Sequence, residues 1–381
     1  MFFKFLKDKA NYDLELDQSI VFISQTQQDE STSSITGRFS FSLPAPTVIK
    51  SIKVRLRGVL EIPHDALMNS SNGEHFTTTQ YQTLASSKTL NSFQLPVGNY
   101  EFPFRIPLAT KTAETITGPG HDYHTYKVDA IIGRPFWQDT IVSRPVRIYN
   151  VPDSATDLAP LRLSSSIEQQ SNQGIEYCLS MPSCNIPFGS TFSLDFCFAA
   201  PGKDAKLTTI TTMVIEKHLI KVAATAAQAA LQGIYNITVT KSHSIYEDTI
   251  EVDSTSCLET ECRACQTVRL PQSLKACSQS IASRAINITH MLVVEAVFRN
   301  CDGQVIDKMM ETIPFNIYMT PEVLGQDGSI RGKVIHDETD PPPPYGVHIC
   351  DPLFSFECGT GRQSLCLDVR ESAPCYDSIC V

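Results

Sequence analysis

The chain has 381 residues, 42% of them hydrophobic and 19% charged, ordinary values for a folded protein with room for two or three domains. A net charge of −10 with no basic stripe argues against nucleic acid as the main partner. No window approaches the ~18 consecutive apolar residues of a spanning helix. Met1-Phe2-Phe3-Lys4-Phe5-Leu6-Lys7 lacks the apolar core and cleavage site of a signal peptide, so an intracellular setting is expected.

Period-two alternation runs through nearly every apolar segment of the first half. Phe39, Phe41 and Leu43 alternate with Ser40 and Ser42. In Ile52-Lys53-Val54-Arg55-Leu56-Arg57 every apolar residue faces one way and every cation the other, the pattern of a sheet wet on one side. Residues 61–92 are long, polar and weakly periodic, and a binding or disordered loop is expected there. Tyr100, Phe102, Phe104 and Ile106 form another apolar row, and Pro103 and Pro107 demote that run to a sheet edge. Tyr126, Val128, Ala130 and Ile132, then Val142 to Tyr149, complete the set. Closely spaced strands with Pro/Gly turns and no helical period predict an antiparallel sandwich.

Ile35-Thr36-Gly37-Arg38-Phe39 followed by Ile52 to Gly58 resembles the opening of an arrestin N-terminal domain. Leu95-Pro96-Val97-Gly98-Asn99-Tyr100-Glu101-Phe102-Pro103-Phe104 is similar to the strand that follows in that family, and His124 to Trp137 to the next. The second half alternates again, in Phe192 to Phe198, Thr208 to His218, Ile286 to Phe298 and Ile313 to Tyr318. With Leu270-Pro271-Gln272-Ser273-Leu274, Ile288-Thr289-His290 and Asn300-Cys301-Asp302-Gly303, this order resembles an arrestin C-terminal domain. The likeness covers about residues 12–320 and points above all to fungal α-arrestins. The expected architecture is all-β, two tandem immunoglobulin-like antiparallel sandwiches at residues 1–152 and 153–322, with a mostly disordered tail at 323–381. One departure is expected: alanine-rich Lys221 to Gly233 reads as a short helix closed by glycine.

Thirteen cysteines, none before Cys178, suit a reducing compartment better than a disulfide framework. Cys257-x4-Cys262-x2-Cys265, with Cys277 beyond, has the spacing of a loose zinc or iron–sulfur loop, but it lies in a polar connection and free thiols are the preferred reading. His121 and His124 sit three apart in a strand, on opposite faces, which disfavours a shared metal. No nucleophile elbow, phosphate loop, His-Glu-x-x-His or acid–base pair is visible, so no catalytic, cofactor or metal site is assigned and no enzyme is expected. The ending Asp377-Ser378-Ile379-Cys380-Val381 is not a prenylation box.

The tail holds Asp340-Pro341-Pro342-Pro343-Pro344-Tyr345-Gly346. Four prolines hold the backbone near polyproline II and remove donors a sheet would need. Pro342, Pro343 and Tyr345 form a Pro-Pro-x-Tyr motif, the shape that WW domains bind in aromatic-lined grooves. The α-arrestin resemblance implies the rest. It points to a trafficking adaptor whose body meets the cytoplasmic face of transporters or receptors, and whose tail recruits a HECT-type ubiquitin ligase through its WW domains. Ubiquitination and endocytosis would follow, with recruitment from cytoplasm to plasma membrane or endosomes. Peripheral membrane association is compatible with this. The rival with the same fold is a retromer-like sorting subunit with no ligase role.

Overall fold

The structure, a computed structural model, describes residues 11–24, 33–61, 74–87, 90–109, 111–151, 165–171, 174–199, 206–224, 226–252, 261–325 and 329–335. The first half supplies β1 (Asn11–Leu16), β2 (Ile20–Ser24), β3 (Ser34–Leu43), β4 (Thr47–Ile49), β5 (Ser51–Glu61), β6 (Glu74–Ser86), β7 (Phe93–Leu95), β8 (Gly98–Pro107), β9 (Ile116–Gly118), β10 (His121–Gly133) and β11 (Thr140–Val151). A sheet ordered β1-β3-β8 accompanies a larger one ordered β2-β11-β10-β5-β6, with β9 on β10. Their inward rows close one core: Phe39, Phe41, Ile52, Val54, Leu56, Val128, Ala130 and Ile148 are buried in a single cluster. The outward row of β5 keeps its cations half-exposed, as the alternation predicts. β8 is the outer strand of its sheet, where Pro103 and Pro107 cost no ladder bond.

The second half supplies β12 (Ser165–Gln170), β13 (Glu176–Met181), β14 (Asn185–Pro187), β15 (Thr191–Ala199), β16 (Lys206–Ala223), α1 (Ala226–Gln232), β17 (Asn236–Glu251), β18 (Glu261–Arg269), β19 (Ile281–Ala282), β20 (Ile286–Arg299), β21 (Val305–Tyr318) and β22 (Val334–Ile335). The sheets run β12-β13-β15-β18 and β14-β21-β20-β16-β17, with β19 on β20. Phe192, Leu194, Phe196, Phe198, Leu292, Val294 and Phe298 lie in its core. Each fully buried side chain of this size contributes roughly 1.5–3 kcal/mol.

The two halves repeat one plan. A short early strand lies parallel on the last long one, β2 on β11 and β14 on β21. Next come β10, β5 and β6 in one half, and β20, β16 and β17 in the other. A short strand starts each hairpin, β9 pairing with β10 and β19 with β20.

Several expectations need correction. Residues 61–92 are not one loop, because β6 pairs with β5 from Glu74 to Ser86. It is an edge strand, alternately exposed and half-buried over Thr77 to Gln82, so its apolar alternation is faint although its threonines favour strand. Residues 62–73 lie outside the described residues. The expected helix at Lys221–Gly233 is shorter: Lys221, Val222 and Ala223 pair with Thr238, Ile237 and Asn236, and tertiary pairing overrides alanine's propensity. Gly233, at φ +66, closes α1 as expected. The tail does not begin at 323, since β22 pairs in parallel with β15 and Thr191 N–H donates to the Lys333 carbonyl at 2.7 Å. Gly332 fits there because a Cβ would stand 1.9 Å from the Gly189 carbonyl oxygen. Cys262, buried at the start of β18, is disulfide-bonded, against the free-thiol expectation; the compositional argument about compartment cannot see pairing geometry at one site. Cys265 and Cys277 are free thiols, and Cys257 lies outside the described residues.

On the outer face of β10, Asp129 is fully buried beneath the cation row of β5. Arg55 donates to its carboxylate at 2.6 and 3.0 Å, and Ser143 Oγ at 2.6 Å. Both partners stand directly opposite it across the ladder. Removing one member of a buried pair costs about 3–5 kcal/mol, whereas replacing both with apolar groups is often neutral. Asp129→Ala is expected to lose about that much in urea denaturation, and Arg55→Met with Asp129→Leu to recover most of it.

Candidate functional site

The sandwiches meet through the equivalent ends of their hairpins, the β9–β10 start and the β19–β20 start. Ile116 and Tyr123 pack with Ile220, Ile281, Ile286 and Ile288 in a small apolar cluster of their own. Approach is close: a Cβ on Gly118 would stand 1.9 Å from Ser278 Oγ. Gln279 Nε2 crosses the seam, donating to the Thr115 carbonyl at 2.9 Å and to Glu114 Oε2 at 3.1 Å.

Beside this apolar patch lies a buried polar cluster. β16 alternates strictly here, so Thr212, Val214, Glu216, His218 and Ile220 share its inward row. β20 does the same with Ile286, Ile288, His290 and Leu292, and pairing sets His290 directly opposite Glu216. Glu216, His218 and His290 are all essentially inaccessible to solvent. Glu216 Oε1 meets His218 Nε2 at 2.5 Å; Oε2 meets His290 Nε2 at 3.3 Å and accepts from Ser278 N–H at 2.8 Å. The far nitrogen of each ring is also held, His218 Nδ1 by Tyr123 Oη at 2.8 Å and His290 Nδ1 by Ser280 Oγ at 2.9 Å. Tyr123 belongs to the first sandwich, so this chain of bonds spans the seam. Cys277, wholly buried, adds its thiol. Burial works against the Glu216 charge, but hydrogen bonds from His218 and His290 outweigh it and hold the carboxyl at about 2. Burial, with the neighbouring Glu216 charge, pushes the Cys277 thiol well up.

A cleft of about 580 Å³ opens along the same seam, lined among others by Lys111, Glu114, His124, Ser280 and Ser283. His124 Nδ1 lies 2.6 Å from the Glu114 carbonyl and its Nε2 2.7 Å from Thr77 Oγ1, and burial pushes the ring's pKa down. His121 Nε2 instead reaches the Glu61 carbonyl at 3.3 Å, so the two histidines serve separate partners. Cys277 is grouped with Glu216 and His290 and not with Cys262 or Cys265. Pro342, Pro343 and Tyr345 lie outside the described residues.

Burial raises the Glu114 carboxyl above its ordinary value of 4.5, opposed by bonds with Gln279 and Asn150. An acid whose folded pKa lies above its unfolded one keeps its proton longer when folded. Its contribution is therefore most favourable below pH 4.5 and is lost as pH rises from there through the raised value. Glu114→Gln is expected to melt above wild type at neutral pH, the gap closing below pH 4.5 in a pH series of thermal melts.

Residues 171–322 match the family model of the arrestin (or S-antigen) C-terminal domain. Over 90% of its length the chain is 27% identical to a protein of Aspergillus terreus named probable HECT-type ubiquitin ligase-interacting protein creD, covering 62% of that relative. The Emericella nidulans protein named HECT-type ubiquitin ligase-interacting protein creD is 26% identical over 90% of the chain, which covers 60% of it. The chain thus spans about three fifths of the length of these relatives. Among the described residues no helix is long and apolar enough to cross a membrane. The chain therefore carries a segment that matches the arrestin C-terminal domain, set within two sandwiches of one repeated plan, and is similar along nine tenths of its length to proteins named for interaction with a HECT-type ubiquitin ligase.

Proposed function

We propose that the chain is an α-arrestin adaptor that brings a HECT-type ubiquitin ligase to membrane-protein cargo, promoting its ubiquitination and endocytosis. The observation that carries this reading is Pro342-Pro343-Pro344-Tyr345, in a chain related to proteins named for interaction with such a ligase. In this proposal the residues up to β22 form the arrestin body and those beyond it the docking tail. The body meets the cytoplasmic face of a transporter or receptor. Phe136 and Trp137, 91% and 79% exposed at the β10–β11 turn, offer an apolar point for peripheral membrane contact. The adaptor itself makes and breaks no bond; it raises the effective concentration of ligase around cargo.

The motif's physics fixes its test. Polyproline II is pre-set in the free chain, so little entropy is lost on docking. Pro342 and Pro343 lie across the WW groove while Tyr345 buries an amphipathic ring. Losing an aromatic anchor typically costs ≥2 kcal/mol, roughly thirtyfold in affinity. Titrating full-length protein with a WW domain, Tyr345→Ala and Pro342→Ala are each expected to weaken binding by about that factor. Pro341→Ala should change it little, and the thermal midpoint should not move in any variant. Equal affinity for Tyr345→Ala and wild type would make the tail a linker and remove the ligase from the reading.

A further inference from the structure

The polar cluster at the seam is not demanded by the fold, because the first sandwich shows what the repeated plan needs at that crossing. His124 of β10 pairs with Ile116 of β9, and Ile288 of β20 with Ile281 of β19. Two residues further along each long strand, Tyr126 of β10 lies opposite Gly58 of β5, and His290 of β20 opposite Glu216 of β16. In the first sandwich the tyrosine ring fills the space so closely that a Cβ on Gly58 would stand 2.6 Å from it. Its hydroxyl is satisfied by the Ala113 carbonyl at 2.8 Å. In the second sandwich the same crossing holds a carboxylate, an imidazole and a thiol, all buried.

We propose that Glu216, Cys277 and His290 form a binding site for a zinc-class divalent cation. One ligand atom from each lies within 4.8 Å of the other two. The 3.3 Å between His290 Nε2 and Glu216 Oε2 matches the ~3.3 Å expected of two donors each ~2.0 Å from a tetrahedral centre. A thiolate, an imidazole and a carboxylate make a borderline-soft set that suits zinc over calcium or magnesium, which take oxygen donors.

The surroundings have the form of a metal site's outer partners. His218 holds the other Glu216 oxygen, and Ser278 N–H bonds to the liganding one. Ser280 Oγ touches His290 Nδ1 and accepts from Ile317 N–H at 2.9 Å, fixing the ring and receiving an Nδ1 proton once Nε2 carries metal. Ser278 Oγ is wholly buried yet has no hydrogen-bond partner among the described residues, and a metal-bound water at the fourth position would satisfy it. Ser280 also lines the seam cleft, so the residue that holds the His290 ring borders solvent. Charge balances on loading. The cation meets one carboxylate, one neutral thiol and one neutral imidazole, the thiol proton leaves to solvent, the imidazole proton shifts from Nε2 to Nδ1, and a neutral site remains. A loaded site ties β16, β20 and the Cys277–Ser280 connection together, with Tyr123 of the other sandwich attached through His218.

The test uses full-length protein stripped with chelator and titrated with cobalt(II) as the spectroscopic stand-in for zinc. Expected are one equivalent bound, tetrahedral visible bands, and a thiolate-to-cobalt band in the near ultraviolet, all displaced by zinc. Cys277→Ser should abolish the thiolate band and His290→Gln should weaken cobalt binding at least tenfold, while Cys301→Ser, at an exposed cysteine, leaves both unchanged. Zinc should raise the wild-type melting midpoint and chelator should reverse the rise, a readout that stands even if Cys277→Ser fails to fold. No tetrahedral spectrum at one equivalent, a thiolate band that survives Cys277→Ser, or a midpoint indifferent to zinc would each overturn the site.

Discussion

A carboxylate taken out of water must receive its hydrogen-bond donors from the chain, and the seam between the sandwiches is arranged around doing this for Glu216. An unpaired ion there would cost several kcal/mol. Three donors meet it, Ser278 N–H and the rings of His218 and His290, and two of those are fixed in turn by Tyr123 and Ser280. Ser280 is itself bonded to the backbone of β21 at Ile317. One buried charge thus fixes the positions of strands from both sandwiches and of the connection that runs between β18 and β19. Loss of any donor leaves its partner unsatisfied inside the buried seam, which makes the network cooperative.

The repeated plan sharpens what that charge means. Both halves place a short strand at the start of a long hairpin and use those equivalent ends to meet each other. Gly58 beneath Tyr126 shows that an aromatic ring and a missing side chain are enough to close such a crossing. The second half spends far more polar chemistry at the same place. Topology therefore accounts for the strands around Glu216 and for their register, but not for the identity of the groups gathered there. Those groups need a separate reason, and affinity for a cation is the one their types and spacing share.

How much of this the sequence revealed depends on how local each signal is. Strands with one dry face, such as β5, β15 and β20, alternate plainly because burial imposes a period of two. β6 hid because an edge strand with both faces partly wet has no such constraint, and polar threonines and glutamines serve it well. The C-terminal end of β16 misread as helix because alanine propensity is a local quantity, whereas its pairing with β17 is not. Glu216 and His218 stand out as ionisable residues in an inward row that otherwise holds isoleucine, valine and threonine, which is a usable signal. Their meeting with His290, 74 residues away, and with Cys277 is set by strand order, which a linear reading does not contain. The cysteine spacing that looked metal-like joined Cys277 to the wrong partners for the same reason.

The Pro-Pro-x-Tyr motif is the opposite case, because its signal lies wholly in adjacent residues. Proline restricts φ residue by residue, so on the adaptor reading a stretch such as Pro342 to Tyr345 would need no fold to suit a WW groove. A contact that small is weak by itself, and its usefulness rests on what the same chain holds nearby. The motif follows closely on β22, the last described strand, which is itself anchored to β15 of the second sandwich. In the adaptor reading, the few residues between β22 and the motif would keep a docked ligase at high effective concentration beside bound cargo, and lengthening them would dilute that advantage slowly, through the entropy of the added chain. On the adaptor reading, then, β22 matters to function without touching either partner: by pairing the chain to β15 it sets where the tether starts.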